Sequence, residues 1–343
     1  MKKLWILLVC LSLLSACSPS AKPTEEPKVS AAGQTQTPMG DNVILTVDGQ
    51  SVYRSEFEYY LAYISDYYKS ANGIDEITDW NTQTEGKATE EYFLDYAVSL
   101  AKNHRGLMKK AEELGCGLTA EQENAIEETI ASGETVYGAG EYRAMVEESY
   151  NTVENFRFLQ EIGFLTDNVF AALYGQQGKL CDDNTVAEYA EENDYMCVKF
   201  ICVEDTEENR QLMEELSARL VASDDRDTLF DELMDEYSQY TTLNSAAFPD
   251  GQLFGKGYLG DAFDGAYAHL AEGEISGVCR GPNELYIIQK LPLDPDGAKN
   301  EGGFTLRHCV AYALFEQNME TWGNELECVL EDGYYEIDVR SFN

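Results

Sequence analysis

The chain has 343 residues, enough for two or three domains, and its 44% hydrophobic content is ordinary for a globular protein. Its 63 acidic and 24 basic residues give a formal net charge of −39. A chain so acidic offers no basic patch to neutralise phosphates, which argues against nucleic acid as a partner. No loop of the D-x-[DN]-x-[DN]-G form is present, so the acidity reads as solvated helix faces rather than calcium ligands.

Lys2 and Lys3 precede an apolar run, Leu4 to Leu14, too short to span a bilayer. This is the layout of a secretory leader. Leu14-Ser15-Ala16-Cys17 at its end resembles a bacterial lipobox, and the resemblance implies cleavage before Cys17 and a diacylglycerol on its thiol. The alternative is an ordinary signal with a chance cysteine, and the place of Cys17 at the end of the apolar run weighs against it. The expected layout is a leader over 1–16 and a flexible tether over 17–42, rich in Pro, Ser, Thr, Gln and Ala. Such a protein is held outside the bacterial cell membrane by lipid and does not span it.

Order is expected from Val43. Val43–Val47 and Ser51–Tyr53 read as a hairpin closed by Asp48-Gly49. Ser55, with Glu58 three residues on, reads as a helix cap, and Phe57, Tyr60, Leu61, Ile64, Tyr67 and Tyr68 as the apolar stripe that follows. Residues 70–88 are polar and read as a loop. Phe93 to Leu114 marks a long helix stopped at Gly115-Cys116-Gly117. Thr119 and Gln122 then offer a capping box for a helix whose Ala125, Ile126 and Ile130 face inward. Two further helices are expected at about Tyr142–Tyr150 and Val153–Tyr174. Aromatics on these stripes read as core packing, with a peptide-holding groove as the lesser alternative.

The second half opens with an acidic helix, Asp182–Asn193, and a strand, Tyr195–Val203. Helices over Glu207–Ala222 and Thr228–Tyr237 follow, then a loop to Phe254. In Gly257–Ser276 the positions of Leu259, Phe263, Ala266, Tyr267 and Leu270 predict a short helix, with Gly273 as its stop. Ile275–Val278 and Leu285–Ile288 read as strands around Gly281-Pro282-Asn283. Leu291–Gly303 is a linker, Phe304 to about Leu330 a helix, and Tyr335–Val339 a last strand. Ile337 and Val339 are expected to pair with Val43–Val47.

Three phrases carry a family resemblance: LTVDGQSVYRSEF (45–57), KAEELGCGLTAE (110–121) and GYLGDAFDGAYAHLAEGEIS (257–276). The first two resemble the chaperone domain of SurA-like and PrsA-like foldases. The third resembles the second half of a parvulin-type (PpiC) peptidyl-prolyl isomerase domain. The resemblance implies an α+β protein. A mostly helical chaperone domain, residues 43–180 completed by 304–343, would carry an inserted parvulin-like domain, 181–292, with a small antiparallel sheet covered by helices. Its implied partners are unfolded or exported polypeptides, and no cofactor is implied.

Prolyl isomerisation breaks no bond; a catalyst lowers a rotation barrier of ~20 kcal/mol by desolvating the amide and favouring its twisted state. Where family members carry His-Ile-Leu on the first strand, this chain has Phe200-Ile201-Cys202. The second family histidine falls at Tyr286, and the Asp or Cys after the second helix at Tyr240. The three histidines, His104, His269 and His308, match none of these positions. Leu259 and Phe263 match the family's proline pocket, with core packing an equal alternative. The peptide-binding candidates are therefore Leu259, Phe263, Phe200, Tyr286 and Tyr240, and no residue is assigned a catalytic role. The reading is a membrane-anchored foldase or chaperone whose parvulin-like domain is weak or inactive. Its alternatives are an active isomerase with non-standard residues and a lipoprotein subunit that recognises one partner. A solute-binding lipoprotein is disfavoured, since no pair of α/β lobes is apparent.

Seven cysteines follow Cys17, an odd number that forbids complete pairing. None forms a C-x-x-C pair, so zinc and thioredoxin-like roles are disfavoured and buried free thiols are expected.

Overall fold

The computed structural model describes residues 42–343. The leader, the lipobox with Cys17 and the tether up to Asp41 lie outside them. The described residues form an α+β fold in two compact units, one of residues 42–172 with Phe315–Asn343, the other Leu173–Leu314.

In the first unit, β1 (Val43–Val47) and β2 (Gln50–Tyr53) form the expected hairpin, with Val47 opposite Gln50 and Leu45 opposite Val52. Helix α1 (Arg54–Asn72) leaves β2 directly, with Tyr53 at its cap and no side-chain cap bond. The expected Ser55–Glu58 cap therefore does not form; Glu58 instead pairs with Arg54 one turn earlier, at 3.2 Å. The following segment is less of a loop than its polarity suggests. Ile77 and Trp80 are buried, and β3 (Gln83–Thr84) pairs with β4 (Lys87–Ala88). Helix α2 (Thr89–Leu114) ends where expected. Gly115 takes the left-handed conformation, with φ of 65°, and the amide of Cys116 reaches back to Ala111 at 2.9 Å.

Hairpin, α1 and α2 share a core that includes Ile44, Leu45, Phe57, Leu61, Phe93 and Ala97, all fully buried. A polar network crosses it. Arg105 donates to both carboxylate oxygens of Glu56 (2.6 and 2.8 Å) and to the Ser51 carbonyl (2.9 Å). Tyr60 donates its hydroxyl to Glu56 at 2.8 Å, and so accepts from His104 Nδ1 at 2.7 Å. Both members of the ion pair are over 90% buried, which is tolerable only because geometry and partners are complete on the carboxylate side.

Helix α3 (Ala120–Tyr137) starts with the expected capping box, Thr119 and Gln122 each bonding the other's backbone. Helices α4 (Ala139–Tyr150) and α5 (Val153–Tyr174) follow; Ile126, Ile130, Val146 and Phe156 form a small separate core.

The second unit contains α6 (Asp183–Glu192), capped by Asp182, then β5 (Met196–Glu204), α7 (Glu207–Ala222) and α8 (Arg226–Tyr237). After them come β6 (Gln252–Phe254), α9 (Asp261–Ala268), β7 (Cys279–Arg280) and β8 (Glu284–Lys290). The sheet order is β6-β5-β8-β7, all antiparallel. Strand β6 is new relative to the sequence reading, because three residues are too few to show alternation. The expected strand Ile275–Val278 is not one: only Ile275 makes a bridge, to Gln289, and pairing resumes at Cys279. Gly273 does not stop α9, which ends at Ala268; its amide instead bonds the Lys290 carbonyl, tying the loop to β8.

Helix α10 (Leu306–Asn324) is shorter at both ends than expected, and β9 (Cys328–Leu330) follows it. Strand β9 pairs antiparallel with β1, Leu45 opposite Leu330 and Val47 opposite Cys328, giving the order β2-β1-β9. The predicted partner of β1, Tyr335–Val339, is thus displaced. Cys328–Leu330 already occupies the free edge, and the final residues wind into 3₁₀ turns. Val339 still enters the core, fully buried, as a plug rather than a strand residue.

Candidate functional site

The candidate residues converge on the β5/β8 pair. Phe200 faces Ile288 and Cys202 faces Tyr286 across the ladder, so these four side chains leave one face of the sheet. The opposite face is anchored to α8, through Lys199 to Asp231 and Gln289 to Asp227, each at 2.7 Å. Helix α9 covers the first face with Phe263.

What results is a packed set of rings. Phe200 lies 5.3 Å from Phe263, 6.1 Å from Tyr286, 5.1 Å from Tyr240 and 6.0 Å from Phe254. Phe263 and Tyr286 meet at 5.3 Å and 90°, edge to face. Phe200 is fully buried, Phe263 is 1% exposed and Tyr286 8%. Leu259 and Tyr240 are half-buried and pack against the same cluster. All five residues are thus together, but Phe200 and Phe263 are core rather than walls of an open pocket. Edge-to-face pairs of this kind contribute about 0.5–1.5 kcal/mol each beyond area burial.

Polar groups also belong to this cluster, among them the Tyr286 and Tyr240 hydroxyls. Tyr286 sits directly opposite Cys202 of β5 and two residues after Glu284 on β8, so the three share one face. Burial first, then the neighbouring Cys202 and Glu284, holds the Tyr286 phenol well above the usual range. Burial likewise pushes the Cys202 thiol up to about 11, with Glu284 adding to the effect. Both groups keep their protons at neutral pH, so neither of them serves as a base.

The histidines lie elsewhere. His104 is in the core of the first unit, His269 is exposed at the end of α9, and His308 stacks on Phe304 at 4.6 Å and Tyr312 at 6.3 Å along α10. Among the described residues no group of three or more His, Cys, Asp or Glu is placed to hold a metal, and no helix is long and apolar enough to cross a membrane.

Sequence reasoning missed Phe254, Glu284 and Cys279. Cys279 faces Tyr286 across β7/β8, on the side away from Cys202. The alternation of β8 could have found Glu284, which lies two residues before Tyr286 on the same face. Phe254 and Cys279 lie on strands too short to leave a pattern.

No family model matches the chain, and no curated protein matches it. It is similar to solved structures of the foldase PrsA. They include PrsA from Bacillus subtilis (18% identity, 83% of this chain and 93% of that one, TM-score 0.28) and PrsA from Streptococcus pneumoniae (14%, 72% and 90%, TM-score 0.31). A structure from work on the SurA-like chaperones PEB4 and Cj1289 of Campylobacter jejuni is also similar (13%, 84% and 99%, TM-score 0.25). At such scores the likeness carries no argument about function.

Proposed function

We propose that this chain is an extracytoplasmic chaperone, anchored by lipid at Cys17, that holds unfolded or exported polypeptides. In this reading a parvulin-like domain is inserted in a helical chaperone domain and has lost most or all isomerase activity. The observation that carries the loss is the packing of Phe200 and Tyr286 with Phe263. The two positions that carry imidazole in the resembling family hold rings closed against each other. An imidazole both donates and accepts; Phe200 does neither, and the Tyr286 phenol, its pKa raised by burial, keeps its proton and offers one hydroxyl in place of two ring nitrogens. The sequence phrases at 45–57, 110–121 and 257–276 support the chaperone assignment, and the lipobox supports the anchor.

The test is a cis/trans assay on a proline tetrapeptide, run beside suppression of aggregation of a denatured protein. Aggregation is expected to be suppressed with no isomerase rate above background. Absence of both would sink the reading.

A second reading rests on the Tyr286 hydroxyl. Tyr286 shares its sheet face with Cys202 opposite and Glu284 two residues before it, which places polar groups beside the rings and favours an isomerase with non-standard residues. A robust wild-type rate that collapses in Tyr286→Phe would establish that reading instead.

A further inference from the structure

Helices α3 and α4 form an antiparallel arm whose core runs out before its tip. Ile126 and Ile130 are buried, but Tyr137, on the same stripe two turns beyond Ile130, is 51% exposed. Val136 beside it is 71% exposed and Met145 on α4 is 45% exposed. The arm is also strongly one-signed. Residues 120–150 contain eight glutamates, all exposed, against one arginine, Arg143. Glu141, Met145 and Glu148 share one face of α4, so an apolar side chain stands between two carboxylates.

We propose that this apolar tip with its acidic surround binds cationic, apolar stretches of polypeptide. The inference rests on the chaperone reading and names its clients. Charge decides among possible occupants. Nucleic acid and anionic lipid surfaces carry the same sign as the arm and are repelled. A second copy of the arm is repelled for the same reason. The chain's own segment 17–41 has two lysines and three acids, and so offers no complement. A polypeptide in which lysine or arginine alternates with leucine-like residues satisfies both features. Its apolar groups cover Val136, Tyr137 and Met145 while its cations meet the glutamates. Exposed apolar side chains are tolerated on soluble surfaces singly, but Val136 and Tyr137 are exposed side by side at the end of α3, with Met145 further along α4.

The probe is a fluorescent peptide of alternating leucine and lysine, titrated with the full chain by anisotropy. A peptide with glutamate for lysine is the control. The wild type is expected to bind only the lysine peptide, and more weakly in about 0.5 M salt, where screening is short-ranged. The triple variant Val136→Ser/Tyr137→Ser/Met145→Ser and the triple variant Glu134→Gln/Glu141→Gln/Glu148→Gln should each lose about tenfold in affinity. Because every substituted residue is exposed, thermal melting should be unchanged in both. Unchanged affinity in both variants, equal binding of the glutamate peptide, or no binding by the wild type would overturn the proposal. Suppressed aggregation with unaltered arm variants would remove the arm and leave the chaperone reading. Arm-dependent peptide binding without suppression of aggregation would do the reverse.

Discussion

Phe263 shows how burial changes the meaning of a candidate residue. Its place in the sequence fits a proline pocket, but its ring is sealed between Phe200 and Tyr286. Phe263→Ala should therefore cost about 3–5 kcal/mol of stability, the usual loss for deleting a buried aromatic ring. Chemical denaturation would read this directly; a variant as stable as wild type but unable to bind peptide would return Phe263 to a pocket wall. His104 supplies a pH test. Burial and the neighbouring Arg105 push its pKa down to about 3, against 6.5 for an ordinary imidazole. The unfolded chain thus binds this proton more readily. The His104 contribution is fully present above about pH 6.5 and is lost as pH falls towards 3. Between pH 7 and 5 the wild type should lose about 2 kcal/mol more than His104→Gln, at 1.36 kcal/mol per pH unit. Parallel stability curves for the two proteins would show that His104 does not titrate in this way.

At the scale of elements, Gly106 is informative because two effects on it oppose each other. In a helix interior, alanine is better than glycine by about 1 kcal/mol. A Cβ at Gly106, however, would stand 2.8 Å from the Gly323 nitrogen and 2.9 Å from the Trp322 carbonyl carbon, both backbone atoms that cannot swing aside. Contact between α2 and the end of α10 therefore depends on the missing side chain. Gly106→Ala should destabilise by about 1–3 kcal/mol despite its better propensity. A rise in melting temperature would mean that the helices part at no cost. The buried pair Glu56–Arg105 joins α1 to α2 in the same unit. Removing only the cation in Arg105→Met leaves a carboxylate buried and should cost about 3–5 kcal/mol, part of which Glu56→Leu in the same chain should recover.

At the scale of the whole molecule, charge and tether dominate. A net charge of −39 keeps the chain soluble and biases its partners towards cations. If the only attachment to the membrane is lipid on Cys17, Cys17→Ala should move the protein from the membrane pellet to the soluble fraction. Retention in the pellet after a salt wash would remove the anchor from the proposed function. The first unit is discontinuous in sequence, residues 42–172 being joined by Phe315–Asn343. Truncation after Asn324 would strip β9, Leu326 and Val339 from it. The exposed edge of β1 should then promote aggregation, measurable by light scattering.

Local physics was legible from the sequence by itself. The β1/β2 hairpin, the ends of α5 and α7, the capping box at Thr119 and Gln122 and the stop at Gly115 all depend on residues within a few positions of one another. The central strands β5 and β8 were legible too, because runs of apolar residues announce them. The choice of partners was decided only in the tertiary structure. Leu45 meets Leu330, Glu56 meets Arg105 and Gly106 meets Gly323, and no periodicity encodes such distant pairs. The candidate site divides in the same way. Its five residues were legible from a resemblance, but whether their rings would line a pocket or fill a core depended on how α9 seats on the sheet. Phe263 packs against both Phe200 and Tyr286, and that packing was decided by the tertiary structure.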